Sequence, residues 1–424
     1  MQVKKFKITL LLFLYSEYYA SAVKVCSTWQ DYWNFYGANS CRQNLDAEDE
    51  FVTIVGRWGR KVETYEINTY DGYILTLFRI IANQPNTAPV LLLPGMFMNA
   101  IAFVDRGTKS LAYQFVDKGY DVWLLNWRGN KYSRQHIDLK TYQSQYWKFS
   151  INELAIYDLP QALKTIKENN NQKVLAVGFQ MGNTAALIYN TLYPDEAQKY
   201  LSGIVSLSPT GAPINVGLLS KLMLYSIPVM MKPLLQYFYH GEVPAIYTNF
   251  RATVFCRNGG VWFARFCDAF FMYSSGLDLK QQDPETLRVI IAQNKDSNSL
   301  MTFEQYYQMS MSRRFQQYDY GDGKNEVIYG SRTPPEYDLK KINVPQLFFV
   351  GRNDKSGTLQ DATVMYQKIP AEFQNEFHVI EYESFGQADF VQAKDINDFL
   401  HTHLMSSVMK LIPPQSTSQD ESQS

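Results

Sequence analysis

The chain has 424 residues, of which 46% are hydrophobic and 19% are charged. This length fits one large domain with an insertion, or two domains, and the composition excludes a chain that is mainly disordered or coiled coil. Lys and Arg number 40 and Asp and Glu 41, which argues against a nucleic-acid partner because such binding needs a basic surface. There is no G-K-[ST] loop and no C-x-x-C pair, so we expect no cofactor and no metal site.

The first 22 residues have the pattern of a secretory signal peptide. Lys4, Lys5 and Lys7 precede a short apolar run from Ile8 to Tyr15, and Ala20-Ser21-Ala22 supplies small residues before a cleavage point. The alternative, an anchor helix, is disfavoured because spanning a bilayer takes ~20 apolar residues. We therefore expect a secreted protein with no stable membrane span, with a lysosome-like compartment as the alternative destination.

Four cysteines follow the predicted cleavage point, and an oxidising compartment favours disulfides. Four cysteines allow three pairings. The simplest pairs are the two that are local in sequence, Cys26 with Cys41 and Cys256 with Cys267. No histidine lies near either pair, which disfavours a zinc site there.

The first predicted elements follow a lead-in, residues 23–50, that has no interpretable pattern. Alternating segments at Val62–Thr69 and Tyr73–Ile80, separated by Asp71-Gly72, predict a β-hairpin. Strands are then predicted at 89–93, 121–125, 173–178 and 201–208, and helices at 107–118, 152–168 and 182–193. Continuous apolar strands separated by helices are typical of a parallel sheet buried on both faces, so we predict an α/β fold.

The strand–helix pattern stops near Pro209 and resumes at Val344. We interpret residues 209–343 as a cap inserted between two parts of one core, residues 51–208 and 344–405. The second part has predicted strands at 347–351 and 376–382 and helices at 358–369 and 390–404, and residues 406–424 are predicted to be a disordered tail. Leu218–Leu235 is rich in Leu and Met and could be either a lid surface or the core of the cap.

A strand, a sharp turn and a helix are predicted around Gln180. Gly178 and Gly182 flank it at positions −2 and +2, which is the frame of the G-x-S-x-G nucleophile elbow. The central residue is glutamine, however, and a strand–helix turn bounded by glycines also occurs for packing reasons alone.

Several longer motifs give this elbow a context. They are Tyr65–Leu75, Gly119–Leu124, Arg128–Asn130, Tyr157–Pro160, Tyr318–Gly321 and Pro334–Asp338. In these motifs the chain resembles the acid lipases of the gastric and lysosomal type, within the α/β-hydrolase superfamily, over residues 50–405. The resemblance implies an α/β-hydrolase fold, in which a mostly parallel central sheet has helices on both faces and an inserted cap. It also implies that Cys256 and Cys267 form the disulfide of the lid region, although their spacing is slightly wider than usual.

The resemblance implies a triad of Ser, Asp and His in chain order, in which Asp354 takes the position of the acid. The position of the nucleophile falls on Gln180. The base lies in the family's N-H-x-D-F motif, which here reads Gly386-Gln387-Ala388-Asp389-Phe390, so Gln387 takes its position. A carboxamide is a poor nucleophile and does not titrate near neutral pH, so we predict that hydrolysis by this mechanism is lost.

The oxyanion hole of such an enzyme is built from backbone N–H groups, which side-chain substitutions can spare. The resemblance places these donors at Met96 and Met181. Two residues near them depart from the family pattern: Pro94, where a histidine is usual, and Trp127, where a serine is usual. We also hypothesise that Gln387 forms hydrogen bonds with Gln180 and with Asp354.

Three functions are compatible with this sequence. The first is a catalytically silent lipase homologue that binds a lipid or other hydrophobic small molecule. The second is an active lipase, hydrolysing triacylglycerols or carboxylic esters through an unrecognised nucleophile. The third is an extracellular interaction or storage protein that keeps only the fold. Ser206, Ser208 and the five histidines are interpreted as structural residues.

Overall fold

The computed structural model describes residues 25–31, 41–42, 44–81, 88–244, 276, 278–293 and 296–413, together with positions 262, 265, 266, 269 and 273. The predicted signal peptide, Cys256 and Cys267 lie outside the described residues. Cys26 and Cys41 form a disulfide, with their Cα atoms 5.1 Å apart. One of the two sequence-local pairs is therefore present.

The strands of the described residues are β1 (Val62–Asn68), β2 (Tyr73–Ile80), β3 (Pro89–Leu93), β4 (Asp121–Leu125), β5 (Gln135–His136), β6 (Val174–Phe179), β7 (Leu201–Leu207), β8 (Glu242–Val243), β9 (Asn298–Ser299), β10 (Gln346–Val350) and β11 (Gln374–Val379). The main sheet has the order β1-β2-β4-β3-β6-β7-β10-β11, with β5 paired to β2. Pairing is antiparallel from β1 to β4 and parallel from β4 to β11. The predicted α/β fold with a mostly parallel sheet is confirmed.

Helices cover both faces of this sheet. The main helices of the core are Phe51–Arg57, Leu111–Asp117, Leu159–Asn170, Met181–Leu192, Pro194–Tyr200, Leu359–Gln367 and Thr402–Leu411. Alternate residues of each central strand point to opposite faces, so Leu91 and Leu93 of β3 belong to one hydrophobic cluster and Val90 and Leu92 to the other. Burial on both faces explains why β3 is apolar throughout.

Three elements differ from the sequence-based expectation, and one of them is the helix Pro194–Tyr200, which was not predicted. The helix Phe51–Arg57 begins directly after the lead-in and was not predicted. The last predicted helix is broken into a short turn of helix at Asp389–Gln392, a π-helical turn at Asn397–His401 and the helix Thr402–Leu411. This final helix passes the expected boundary at residue 405 because Val408, fully buried, continues the same apolar face.

Residues 209–343 leave the sheet after β7 and return at β10, and these two strands are parallel neighbours. The described helices of this segment are Leu218–Tyr225, Lys232–Tyr239, Pro284–Gln293, Leu300–Ser312 and Asp322–Tyr329. An insertion between adjacent strands leaves the sheet intact, and the described helices of this segment are called the cap below.

The apolar run that begins at Leu218 lies largely at the surface of the cap. Leu218, Met230 and Tyr237 are 87%, 68% and 78% exposed, whereas Leu235 is buried. Of the two interpretations left open by the sequence, the lid surface therefore fits better than the core of the cap. No single helix among the described residues is long and apolar enough to cross a bilayer. The helical segments Leu218–Met230 and Lys232–Tyr239 reach that length and composition only when they are taken together, and the chain bends by 59° between them.

Three of the motifs converge on one buried arginine. The guanidinium of Arg128 pairs with Asp158 and with Asp71, each at 2.6 Å, and lies 4.0 Å from the ring centre of Tyr73. Asp71 belongs to the first hairpin and Asp158 to the helical segment before β6. This network connects the hairpin and that helical segment to the loop after β4. Losing one partner of a buried ion pair is strongly destabilising, so the three segments are held together firmly.

Candidate active site

Gln180 lies at the sharp turn between β6 and the helix Met181–Leu192. Its φ is 48° and its ψ is −110°, a backbone conformation that non-glycine residues rarely adopt. The flanking glycines are required by close packing: a Cβ on Gly178 would lie 2.4 Å from the nitrogen of Asn183, and one on Gly182 would lie 2.3 Å from the carbonyl oxygen of Leu93. The turn therefore has the geometry of a nucleophile elbow and lifts the side chain of residue 180 above the sheet.

The side chain of Gln180 contacts one of the two expected oxyanion donors. The backbone N–H of Met96 donates to Oε1 of Gln180 at 3.1 Å. Met181 occupies the first position of its helix, where a backbone N–H has no intrahelical acceptor. The N–H of Met96, one of the expected oxyanion donors, is therefore already hydrogen-bonded to the side chain of Gln180.

The loop that carries Met96 is held by residues from two directions. Phe97 has a positive φ of 62°, and its N–H donates to Oδ1 of Asn298, from β9 of the cap, at 2.7 Å. On the other side, Nε1–H of Trp127 donates to the carbonyl oxygen of Pro94 at 2.8 Å. The two positions that depart from the family pattern therefore touch each other. Asn298 was missed by sequence analysis because no motif marks a cap residue that is far away along the chain.

Asp354 follows β10 and is buried. Its Oδ1 accepts hydrogen bonds from the N–H groups of Ser356 and Gly357, each at 2.8 Å, and its Oδ2 accepts one from Oγ of Ser208 at 2.6 Å. Burial raises the pKa of the Asp354 carboxyl to about 6, although these hydrogen bonds and Lys355 oppose the rise. The carboxylate is therefore held by neutral donors.

Gln387 lies near this carboxylate but does not bond to it. Its Nε2 donates to Oγ of Ser208 over a long 3.4 Å, and Ser208 in turn donates to Asp354. The hypothesised direct bonds from Gln387 to Gln180 and to Asp354 are absent from these described residues. The physical reason is that Met96 engages the oxygen of Gln180, while the hydroxyl of Ser208 lies between Gln387 and Asp354.

Comparisons with known proteins agree with this geometry. A family model for the alpha/beta hydrolase fold matches residues 88–388, and one for a partial alpha/beta-hydrolase lipase region matches residues 51–107. Lipase member K of Homo sapiens is 31% identical over 333 residues, which cover 75% of this chain and 81% of that protein. The chain belongs to the acid lipase family, within the α/β-hydrolase superfamily. Gastric triacylglycerol lipase of Rattus norvegicus is 27% identical, covering 86% of this chain and 92% of the relative.

Solved structures give the same fold for this member of the acid lipase family. A soluble variant of monoglyceride lipase from Saccharomyces cerevisiae, in complex with a substrate analogue, aligns with a TM-score of 0.52 at 12% identity. The alignment covers 83% of this chain and 96% of that one. At this level of identity the likeness establishes the α/β-hydrolase fold alone.

A cleft of about 130 Å³ lies above Gln180 and Gln387, between the core and the cap. Its walls are mainly apolar and come from the Met96 loop, from the start of the cap and from the helix Leu300–Ser312. Among the residues that line it are Met96, Phe97, Phe179, Val216, Met223, Leu224 and Phe303, with Thr210, Tyr306 and Ser356 as polar groups. The cleft of this acid-lipase-family chain therefore suits an apolar ligand with few polar atoms.

No histidine lines this cleft, and all five belong to the described residues. His136 contacts the carbonyl oxygen of Asp71, and His401 is buried against Asn397, where burial lowers its pKa to about 3. His378 and His403 stack on each other beside β10. An imidazole base is therefore absent from the walls of the cleft.

Proposed function

We propose that this acid-lipase-family protein binds a lipid or other hydrophobic small molecule in the cleft and does not hydrolyse it. We further propose that the protein is secreted after removal of residues 1–22. The proposal rests chiefly on one observation, the hydrogen bond from Met96 to the amide oxygen of Gln180.

The glutamine at the elbow disfavours catalysis in two ways. The residue at the elbow has no nucleophilic oxygen, and its carbonyl group also competes with a substrate carbonyl for an oxyanion donor. In a hydrolase of this kind, losing the nucleophile or the base alone costs on the order of 10⁶ in kcat, and oxyanion stabilisation supplies much of what remains. With both contributions weakened, we expect no measurable turnover of esters.

A nucleophilic role for the two buried serines at the end of β7 is disfavoured by their neighbours. Ser208 is fully buried and donates to Asp354, and Ser206, equally buried, is hydrogen-bonded to Asn183. The hydrogen-bond partners of these two serines among the described residues are Asn183, Asp354 and Gln387, and none of them is a histidine. The second function considered from the sequence, an active ester hydrolase, is therefore not supported by a specific contact.

Binding without catalysis is supported by the apolar walls of the cleft and by the exposed apolar run that starts at Leu218. Burying apolar ligand surface contributes about 25 cal/mol per Å², and this contribution requires no reacting group. Met223 and Leu224 belong both to the helix Leu218–Tyr225 and to the wall of the cleft. This helix thus connects the lid surface with the interior, as a route for a lipid would require.

The decisive experiment combines an activity assay with analysis of bound lipids. The secreted full chain is assayed with p-nitrophenyl butyrate and with a triglyceride emulsion from pH 4 to pH 8, and lipids extracted from the native protein are measured by mass spectrometry. We expect no turnover above a heat-denatured control and a stoichiometric hydrophobic ligand. Turnover in the native sample would contradict the proposal, and an empty cleft would favour an interaction or storage role.

A pair of matched variants assigns the ligand to the cleft. Met223→Arg places a charge in the wall of the cleft, whereas Met311→Arg places the same charge on a methionine that is 66% exposed elsewhere in the cap. We expect the first variant to lose most of the bound lipid and the second to keep it. Equal lipid content in both would place the ligand outside the cleft.

Secretion is tested separately by expressing the full chain in a eukaryotic secretory host and sequencing the N-terminus of the protein in the medium. We expect the mature chain to begin at Val23. Retention in the cells with residues 1–22 attached would contradict this part of the proposal and leave the lipid-binding part unaffected.

A further inference from the structure

Three potential metal ligands meet at the edge of the sheet, in a place that the cleft does not include. Glu376 and His378 belong to β11, the last strand of the sheet, and His403 belongs to the helix Thr402–Leu411. One ligating atom from each side chain lies within 4.8 Å of the others. None of these residues lines the cleft, so the cluster is separate from the lipid site.

The fold determines how these side chains come together. Side chains two residues apart on a strand point to the same face, which places Glu376 beside His378. The helix that packs against that face supplies His403, whose Nε2 lies 2.5 Å from Oε1 of Glu376. The two imidazole rings are stacked with their centres 3.8 Å apart, and the ring of Phe349 on β10 contacts both of them. Phe349 thus packs against both imidazole rings at the cluster. An imidazole nitrogen binds a metal in the plane of its ring, so one of the two stacked rings has to turn about its side-chain bonds before both can coordinate the same ion.

We propose that Glu376, His378 and His403 bind one divalent transition-metal ion, with Zn²⁺ as the first candidate. Two imidazole nitrogens and a carboxylate oxygen suit Zn²⁺, Cu²⁺ and Ni²⁺, whereas Mg²⁺ and Ca²⁺ prefer sites made of oxygen ligands only. Three protein ligands leave a coordination position for water. The ion would connect the edge strand to the last long helix, so the site stabilises the C-terminal part of the core.

The state of the free cluster is compatible with metal binding, since imidazole must be neutral to coordinate a metal. Burial and the neighbouring His403 lower the pKa of His378, which outweighs the opposite effect of Glu376 and Glu381. The lowered pKa favours the neutral form of His378, which is the form that binds a metal. The contact between Nε2 of His403 and Oε1 of Glu376 places two of the ligands side by side before the metal arrives. Sequence analysis expected no metal site because His378 and His403 are far apart along the chain and form no motif.

The test is titration calorimetry of the full mature chain, stripped with a chelator and freed of any affinity tag, with ZnCl₂ at pH 7.5. We expect one equivalent of Zn²⁺ to bind, a melting temperature higher by roughly 2 °C or more at saturation, and no displacement by excess Mg²⁺. A Co²⁺-loaded sample should show the visible absorption of cobalt bound to nitrogen ligands. No binding by the wild-type chain would overturn the proposal.

Variants then assign the ligands. His378→Gln and His403→Gln should each weaken Zn²⁺ binding at least about tenfold, by analogy with the 10–100-fold losses seen even for outer-shell partners of metal ligands. The Glu376→Gln variant, which keeps both imidazoles, tests the carboxylate and should show a smaller loss. The control is His240→Asn, which removes a histidine at the end of a cap helix, away from the cluster at the edge of the sheet. Unchanged binding in the His378→Gln/His403→Gln double variant, with circular dichroism like that of the wild type, would refute the site.

Discussion

The two sides of the candidate active site differ in how their polar groups are hydrogen-bonded. On the oxyanion side, the oxygen of Gln180 accepts the hydrogen bond that the Met96 N–H would give to a substrate. On the acid side, Asp354 remains buried with a raised pKa and no imidazole, and Ser208 takes the hydrogen-bonding place of the missing base. On one side a donor has its acceptor, whereas on the other a buried carboxyl has a raised pKa in spite of three hydrogen bonds.

The physical reason for this difference is the charge of the polar group on each side. An oxyanion hole is a set of neutral N–H groups, so a neutral oxygen completes it. A buried carboxylate needs a cation or several hydrogen bonds, because desolvation disfavours its charged form. The N–H of Met96 thus has an acceptor in Gln180, while the other side keeps the buried carboxyl of Asp354 with its raised pKa.

The largest expected effect is the return of hydrolysis in the double variant Gln180→Ser/Gln387→His. Triad residues act as a unit, so we expect each single variant to be nearly inactive and the double variant to exceed both by roughly 100-fold or more. Initial rates with p-nitrophenyl butyrate measure this. Adding Asp354→Asn should abolish the gain, and a gain that survives this third change would mean that the acid is not Asp354.

The next effect comes from Ser208, which occupies Oδ2 of Asp354. In the restored double variant, Ser208→Ala frees this oxygen for the new imidazole. A hydrogen bond to a charged group contributes about 1.5–3 kcal/mol, so we expect kcat to rise by roughly tenfold or more. Steady-state kinetics of the double and triple variants, compared side by side, provide the measurement. An equal kcat in both would show that the serine does not obstruct the pair.

A smaller effect concerns the stability of the unmodified chain. The pKa of Asp354 is raised to about 6 in the folded state, against a reference value of 3.8, so the folded state binds more protons between these two pH values. Stability contributed by this group is therefore highest at low pH, falls as pH rises towards 6 and is constant above it. Asp354→Asn should raise the free energy of unfolding by roughly 1–3 kcal/mol at pH 7 and by nothing near pH 4.

Urea denaturation of wild type and Asp354→Asn at pH 4, 5, 6 and 7 measures this trend. Asp158→Asn is the contrasting control, because Asp158 is a buried aspartate whose partner, Arg128, would be left undercompensated. We expect that variant to lose roughly 3 kcal/mol or more at pH 7. A destabilised Asp354→Asn protein at neutral pH would show that the acid side is not strained.

The smallest expected effect compares the two glutamines directly. Gln180→Ala removes the 3.1 Å hydrogen bond with Met96 and should cost about 1 kcal/mol of unfolding free energy. Gln387→Ala removes only a 3.4 Å contact with Ser208 and should cost less than half as much. Chemical denaturation at pH 7 distinguishes them, and the opposite order would reverse our comparison of the two sides.

Sequence analysis predicted the core of the fold well because buried parallel strands are continuous apolar segments. The bounds of β2, β3 and β4 coincide with the predicted segments. The last helix was harder to predict, since the break between Asp389–Gln392 and Thr402–Leu411 depends on tertiary packing.

The candidate site was predictable where a motif carries it and not elsewhere. Gln180, Asp354 and Gln387 were placed by motifs, and the structure brings Gln180 and Gln387 to one cleft with Asp354 behind Ser208. The direction in which a glutamine side chain turns depends on its neighbours in space, so the hypothesised bonds of Gln387 were wrong. The contact of Asn298 with Phe97 joins residues 201 positions apart and has no local signal.

The hydrogen bond between Phe97 and Asn298 has a mechanical consequence. Phe97 keeps an unfavourable left-handed backbone while a cap residue holds its N–H, and Met96 is its immediate neighbour. An outward movement of the cap would break this hydrogen bond and would allow the backbone of Phe97 to leave its left-handed conformation. Opening of the cleft and the hydrogen bond from Met96 to Gln180 would then both depend on the same movement of the cap.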